Sequence, residues 1–188
     1  MPYIRESILT TIDADGKVHI APLGIIQQGE YWIIAPFRPS RTLDNLLAQP
    51  VAVASYTDDA RIFAGCLTGR KDWPLAPVEN WPVPRLSAAL AHTSLEVVER
   101  RDEELRPRFI CRVVSEQMHA PFLGMNRAKA AVLELAILVS RLHMLPREKI
   151  EAELGYLSIA IDKTAGPEEL EAWGWLMERV NAHLAGSG

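Results

Sequence analysis

The sequence has little cysteine and no excess of positive charge. Its 188 residues include 2 cysteines, Cys66 and Cys111, and neither lies in a CxxC or Cys/His pair with zinc-ligand spacing. This excludes a disulfide-rich secreted scaffold and predicts no metal site. The net charge of -4 provides no general attraction for nucleic acid or for anionic lipid. Phosphate recognition, if the protein has any, must be local.

Long apolar segments are also missing. The most apolar stretch, residues 130–139, is interrupted by Glu134 and is too short for the roughly 20 residues that a spanning helix needs. The first residues lack the apolar core of a signal peptide. We therefore expect a cytoplasmic protein with neither a membrane nor a nucleic-acid partner.

The first part of the chain, to about Gln117, has the period-two pattern of β-strands. In the first segment Ile4, Ile8 and Ile12 point to one side, and the turn at residues 13–16 ends the strand. The pattern predicts strands at residues 3–12, 18–26, 31–35, 51–57, 95–101 and 106–117.

Two other segments interrupt this run of strands. Residues 40–47 form a predicted short helix with Ser40 as its N-cap. Residues 73–84 contain four prolines and two tryptophans, which predicts an irregular excursion that serves as a lid or cover.

After Gly124 the apolar period becomes helical. It predicts a buried helix over residues 126–144 that Pro146 stops, a second helix behind Pro146, and a third that begins near Gly166. Strands followed by helices favour an α+β fold, with a small closed barrel at residues 1–122 and a helical domain at residues 123–188.

No established signature motif for nucleotide binding, zinc hydrolysis or serine hydrolysis is present. The five histidines have no ligand spacing, and they are best explained by surface or packing roles. The sequence therefore identifies no catalytic residue, and three short polar segments remain as candidate sites.

The first candidate is the segment 36–42. Arg38 and Arg41 stand beside the hydroxyls of Ser40 and Thr42, at a helix N-terminus with free backbone N–H groups. This combination suits a phosphate. The alternative is that Ser40 only caps the helix and both arginines are solvated.

The other two candidates are a strand and a helix start. The second candidate is the segment Ala21, Pro22, Leu23, Gly24 and Ile25, in which Pro22 has no backbone N–H and Gly24 has no side chain. These two residues would let a flat ring approach the backbone. The alternative is an edge strand with a bulge at Pro22 and Gly24. Asn126 and Arg127 would cap a helix, or Arg127 would also reach an anion.

Taken together, the segments resemble a known family, the FMN-binding split-barrel proteins. The chain is similar to a branch found in methanogenic archaea and in microbes of one-carbon metabolism, which carries a C-terminal helical domain of unassigned function. The resemblance spans nearly the whole chain and rests on residues 6–11 (ESILTT), 15–16, 21–25 (APLGI), 36–37, Ser40, Thr42, Asn45, Leu46, 55–59, Phe63, 126–128, 131–134 and 140–142.

The resemblance implies a barrel of about six largely antiparallel strands that forms a homodimer with FMN at the subunit interface. The flavin phosphate would contact Arg38, Ser40, Arg41, Thr42 and Asn45. The ring would lie along residues 21–25 and near Ser55, Tyr56 and Thr57, and Asn126 and Arg127 would close the site.

Three functions are compatible with this resemblance. The first is an FMN-dependent oxidoreductase that passes electrons between a reduced nicotinamide or deazaflavin donor and a small acceptor. The second is a flavin-binding sensor, carrier or interaction module without turnover. The third keeps the fold and places another ligand in the pocket. Fold alone does not separate them.

Overall fold

The computed structural model describes residues 2–186 and divides into two compact units. The first unit contains the residues up to Thr57 together with Trp73–Phe122. The second contains Asp58–Asp72 together with the residues from Leu123 onward. The second unit therefore takes in a segment, Asp58–Asp72, that the division of the sequence at residue 122 had placed with the barrel.

The first unit is a closed six-stranded barrel with an additional hairpin. The strands are β1 (Tyr3–Ile12), β2 (Val18–Gln28), β3 (Tyr31–Ile34), β4 (Val51–Tyr56), β5 (Leu75–Val78), β6 (Trp81–Leu86), β7 (Ala91–Arg101) and β8 (Arg108–Met118). All strand pairs are antiparallel, and the barrel order is β1-β2-β3-β8-β7-β4, with β5 and β6 in a separate two-stranded sheet.

Alternating apolar residues close the barrel around one core. Leu9 of β1, Ile25 of β2 and Phe109 of β8 are at most 1% exposed and belong to one hydrophobic cluster. The helix α1 (Arg41–Ala48) adds Leu43 and Leu46 to the same cluster. The predicted short helix and its cap are thus confirmed, and burial of its apolar face fixes α1 against the barrel wall.

The strand β2 has a partner on one side only over much of its length. It pairs with β1 from Val18 to Gln27, whereas the four-residue β3 pairs only with Ile26–Gln28. Its pairing with β1 shows no register shift, so the bulge proposed at Pro22 and Gly24 is wrong. Residues 21–25 instead form an edge, where the missing N–H of Pro22 is tolerated.

The Pro- and Trp-rich segment is regular, contrary to the sequence expectation. The strands β5 and β6 form a hairpin whose register shifts between Ala76 and Val78, on either side of Pro77. A two-stranded ribbon consists only of edge strands, so prolines can face away from the ladder. Val83 is fully buried and the Trp81 indole donates to Ala52 O at 3.3 Å, so this hairpin packs on the barrel.

The second unit is helical. Its helices are α2 (Ala60–Leu67), α3 (Arg127–Val139), α4 (Arg147–Thr164) and α5 (Pro167–Gly186), with a 3-10 turn at Leu142–Met144. The three C-terminal helices were predicted, although the first of them ends at Val139 and not at residue 144. The helix α2 was not predicted. Asp59 caps it, and it packs against α3 and α5.

None of the helices in residues 2–186 combines the length and the apolar character needed to cross a bilayer.

Candidate functional site

The N-terminus of α1 is the first candidate site. Ser40 has extended backbone angles, and its Oγ accepts a hydrogen bond from Leu43 N at 3.3 Å. Within residues 2–186, the N–H groups of Arg41 and Thr42 have no recorded hydrogen-bond acceptor. Two free N–H groups at the positive end of a helix can bind an anion. Capping by Ser40 and anion binding therefore use different donors and can coexist.

The two arginines of this segment differ in their surroundings. The Arg41 side chain is exposed, and no residue in the described range 2–186 bonds to it. Arg38 forms an ion pair with Asp102 at 3.4 Å, with both side chains about half exposed. An exposed ion pair of this kind contributes little to stability, and it leaves Arg41 as the cation with no competing carboxylate.

Thr42 and Asn45 lie on the buried face of α1. The Asn45 amide donates from Nδ2 to Thr11 Oγ1 at 3.0 Å, which ties α1 to β1. This bond gives Asn45 a structural role. Its predicted contact with a phosphate stays a prediction.

The β2 segment of the first unit lies close to α1, which packs against β1 and β2. Ile25 is fully buried in the barrel core, so its side chain is unavailable to a ligand, whereas Ala21, Pro22, Leu23 and Gly24 are partly exposed. Two of the three predicted segments thus belong to elements of the first unit that contact each other, α1 and β2.

Glycine is required at position 24 by its cross-strand neighbours. Gly24 pairs directly with Glu6, and a Cβ atom on it would lie 2.7 Å from Ile4 Cγ2 and 3.1 Å from Glu6 Oε1. The glycine therefore makes room for side chains of β1. These contacts explain why position 24 is a glycine without invoking a ligand. The missing side chain also leaves the backbone of β2 accessible.

Replacing Gly24 with alanine is expected to lower the free energy of unfolding by about 1 kcal/mol, because Ile4 and Glu6 must move aside. The matched control is Gly155→Ala in α4, where no atom lies within 4 Å of the added Cβ. That variant should gain up to about 1 kcal/mol from helix propensity. Urea unfolding of both proteins checks the opposite signs, and a stabilised Gly24→Ala would contradict this account.

The residues at the end of β4 point to different partners. Ser55 is fully buried, and its Oγ accepts a hydrogen bond from Leu86 N at 3.1 Å. Thr57 Oγ1 donates to Ala88 O at 3.0 Å. Both hydroxyls thus bond to the backbone of neighbouring segments, and Tyr56 lines a pocket. The predicted ring contacts of all three stay predictions.

The pocket beside Tyr56 has a volume of about 210 Å³. The Arg5 guanidinium lies over the rings of Trp32 and Tyr56, at 4.8 and 4.9 Å from their centroids. Sequence reasoning missed this pocket, because its residues come from four strands. They are Arg5, Tyr56, Ala91, His92, Thr93, Glu116, Gln117 and Met118.

A histidine pair lies at the edge of this pocket. His92 Nδ1 and His119 Nε2 are 2.8 Å apart, and His92 is 2% exposed. Desolvation lowers the pKa of His92, and the neighbouring His119 and Arg85 lower it further. Desolvation and Arg85 also lower the pKa of His119. Both rings are therefore neutral near pH 7. This agrees with the hydrogen bond between them, because only a neutral imidazole has a nitrogen that can accept one.

This pair makes stability depend on pH. A histidine whose pKa is lowered by folding binds a proton more readily in the unfolded chain. Its contribution to the free energy of unfolding is therefore complete above pH 6.5, the ordinary pKa of histidine, and is lost as the pH falls below that value. The free energy of unfolding should fall by up to about 1.4 kcal/mol per pH unit for each histidine. Urea unfolding of the parent and of the His92→Gln/His119→Gln double variant checks this. Equal slopes in the two proteins would refute it.

Both cysteines are buried free thiols. Burial raises the pKa of Cys66 to about 11 and that of Cys111 to about 12. Neither thiol is therefore suited to nucleophilic chemistry near neutral pH.

The third predicted segment belongs to the second unit. Asn126 caps α3, because its Oδ1 accepts hydrogen bonds from Ala128 N at 2.8 Å and Lys129 N at 3.1 Å. Its Nδ2 donates to Thr164 O at 3.1 Å. Arg127 is exposed, and its side chain bonds to no group within residues 2–186. The capping role of Asn126 is thus confirmed, and an anion contact of Arg127 stays a prediction.

Comparison with known families gives two matches along the chain. Residues 5–120 match the model described as "Protein of unknown function (DUF447) N-terminal domain". Residues 126–178 match the model described as "Protein of unknown function (DUF447)". No curated protein matches the chain.

Solved structures show the same fold. The FMN-bound protein MM1853 from Methanosarcina mazei, also of the DUF447 family, is 21% identical with a TM-score of 0.81, and 94% of each chain is covered. The 2-nitrobenzoate 2-nitroreductase NbaA from Pseudomonas fluorescens is 18% identical with a TM-score of 0.52, over 63% of this chain and 64% of that one.

A third similar structure is the flavin reductase of styrene monooxygenase from Pseudomonas putida S12. It is 17% identical with a TM-score of 0.51, and the likeness covers 61% of this chain and 81% of that one. The α+β fold implied by the resemblance, a split barrel followed by helices, is confirmed.

Proposed function

This chain belongs to the DUF447 family, and from that membership and its site we propose that it is an FMN-binding oxidoreductase. The observation that carries the proposal is the start of α1, where Arg41 stands beside two backbone N–H groups that have no acceptor in residues 2–186, a suitable site for one anion. The FMN bound by MM1853 of the same family supports the assignment of that anion as the flavin phosphate.

The donors present suit a terminal phosphate. The N–H groups of Arg41 and Thr42 lie at a positive helix end, and the Arg41 guanidinium can add two parallel hydrogen bonds. The sequence contains no glycine-rich diphosphate loop, so the single anion site favours FMN over FAD.

The free edge of β2 is the proposed contact surface for the flavin ring. Residues 21–24 are partly exposed and have a strand partner on one side only. When bound, FMN supplies the hydride and single-electron chemistry. The chain orients the ring against this edge, neutralises the phosphate at α1, and excludes water with the apolar side chains of β2.

The predicted flavin contacts include no histidine, cysteine or carboxylate. His19 in β2 and Asp44 in α1 belong to the same two elements, and neither is among those contacts. We therefore assign the redox step to the flavin, and we propose a reduced nicotinamide or deazaflavin as donor and a small molecule as acceptor.

The test has two stages. The purified protein should be yellow, and the chromophore released by denaturation should be FMN. Anaerobic mixing of the holoprotein with each candidate reductant should then bleach the flavin at rates compatible with turnover. A colourless protein that takes up no FMN would refute the cofactor and leave the pocket to another ligand. Bound FMN that no donor reduces would favour the sensor or carrier function.

We also propose that the protein is a homodimer with FMN at the subunit interface. The free β2 edge and the exposed Tyr3 and Ile4, at 59% and 48%, offer a surface that a second copy could cover. Light scattering should give twice the chain mass of 21.0 kDa. A monomer that still holds flavin would contradict the interfacial site.

A further inference from the structure

The pocket beside Tyr56 contains two charged side chains, Arg5 and Glu116. Neither the barrel core nor the proposed phosphate site uses them. Arg5 is half-buried, and within residues 2–186 no carboxylate pairs with it. Its guanidinium lies over the faces of Trp32 and Tyr56. Some of its N–H groups interact with the hydroxyls of Tyr56 and Tyr3. The remaining N–H groups, which point outward in the guanidinium plane, are available to a planar acceptor.

A hydrogen-bonded relay fixes the opposite charge in the same pocket. The Thr93 hydroxyl donates to Glu116 Oε1 at 3.0 Å, so it must accept from the Tyr56 hydroxyl, which lies 3.1 Å away. In the described part of the chain, the second oxygen of Glu116 accepts no hydrogen bond. The carboxylate is therefore held in position with one acceptor unused.

These features define what the pocket can bind. The remaining N–H groups of Arg5 select a carboxylate or a similar planar anion, because a bidentate pair uses two of them. The unused oxygen of Glu116 selects a hydrogen-bond donor elsewhere on the ligand. The volume of about 210 Å³ suits a small molecule.

We propose that this pocket is a binding site for a small organic acid that carries an amino or hydroxyl group apart from its carboxylate. Arg5 holds the carboxylate, and Glu116 accepts from the second group. The pocket shares no residue with the start of α1, but it shares Tyr56 with the predicted contacts of the flavin ring. Binding of the acid is therefore measured both with and without FMN.

The probe for this site is 4-aminobenzoate, with 4-aminobenzamide as its neutral counterpart. Calorimetric titration of the full chain, saturated with FMN, should show binding of the acid about tenfold tighter than that of the amide. In the parent protein, the acid should also shift the indole N–H resonance of Trp32. Equal binding of acid and amide, or no binding of either, would overturn the proposal.

Two variants locate the binding. Arg5→Gln should weaken 4-aminobenzoate binding at least tenfold, whereas Arg112→Gln, an exposed β8 arginine paired with Glu96, should leave it unchanged while altering the net charge equally. Glu116→Gln should reduce the preference for 4-aminobenzoate over benzoate. Parent-like affinity in Arg5→Gln would overturn the proposal. If Arg5→Gln does not fold, the acid-to-amide ratio of the parent decides.

The titration is repeated without flavin to separate the two sites. Binding of 4-aminobenzoate should be the same with and without FMN. Binding that disappears when FMN is saturating would place the flavin in this pocket and overturn the separate acid site. A protein that binds no FMN at all but prefers the acid would refute the proposed function and leave this inference standing.

Discussion

Replacing Arg41 with alanine is expected to weaken FMN binding about ten- to a hundredfold while leaving the fold unchanged. The Arg41 side chain is exposed and has no recorded partner in the described residues, so its removal should change stability by no more than about 0.5 kcal/mol. A charge-assisted contact with a phosphate contributes roughly 1.5 to 3 kcal/mol, which gives the predicted loss of affinity. Fluorescence titration of the apoprotein with FMN measures it.

Riboflavin and a second arginine provide the controls for this prediction. Riboflavin lacks the phosphate, so Arg41→Ala should bind it as the parent does. Arg38 already pairs with Asp102 at 3.4 Å, so Arg38→Ala should have a smaller effect. Equal FMN affinity in Arg41→Ala and the parent would remove Arg41 from the flavin site and return it to a solvated surface role.

The elements that could be predicted from the sequence are those whose signal is local. The isoleucines of β1 recur at an even spacing before a turn, and the Ser40 side chain caps α1, so both elements were found. The hairpin of β5 and β6 was missed because four prolines predict a loop unless the strands form a two-stranded ribbon. The helix α2 was missed because its eight residues are too few and too uniformly apolar to show a period.

The site was predictable only where backbone geometry defines it. The start of α1 can be located from its cap, Ser40, and the edge of β2 from Pro22. Both elements lie in the first unit. Side-chain direction is not encoded locally. Ser55 bonds to Leu86 N across 31 positions and Asn45 to Thr11 across 34, and neither partner could be chosen from the sequence. The Arg5 pocket combines β1, β4, β7 and β8 and gave no sequence signal.

The largest expected effect on stability is at Asn126. Its side chain caps two N–H groups of α3 and also binds Thr164 O at the end of α4. Asn126→Ala removes all three bonds, although Ala128 N keeps its bond to Thr164 Oγ1 at 3.0 Å. The lost cap and the unpaired, partly buried Thr164 O together should cost about 2 kcal/mol. Thermal unfolding followed by far-UV circular dichroism should show a Tm lower by roughly 4 to 10 °C.

Two further variants separate capping from ligand binding. Asn126→Asp keeps the oxygen acceptors for Ala128 N and Lys129 N but cannot donate to Thr164 O, so its Tm should fall between those of the parent and Asn126→Ala. Arg127→Ala removes an exposed side chain and should leave the Tm unchanged. Asn126→Ala destabilises α3, so a loss of FMN from that variant could follow from the lower stability. Arg127→Ala should not change the Tm, so a loss of FMN from it would show that Arg127 contacts the flavin. A Tm of Asn126→Ala equal to that of the parent would contradict the capping role.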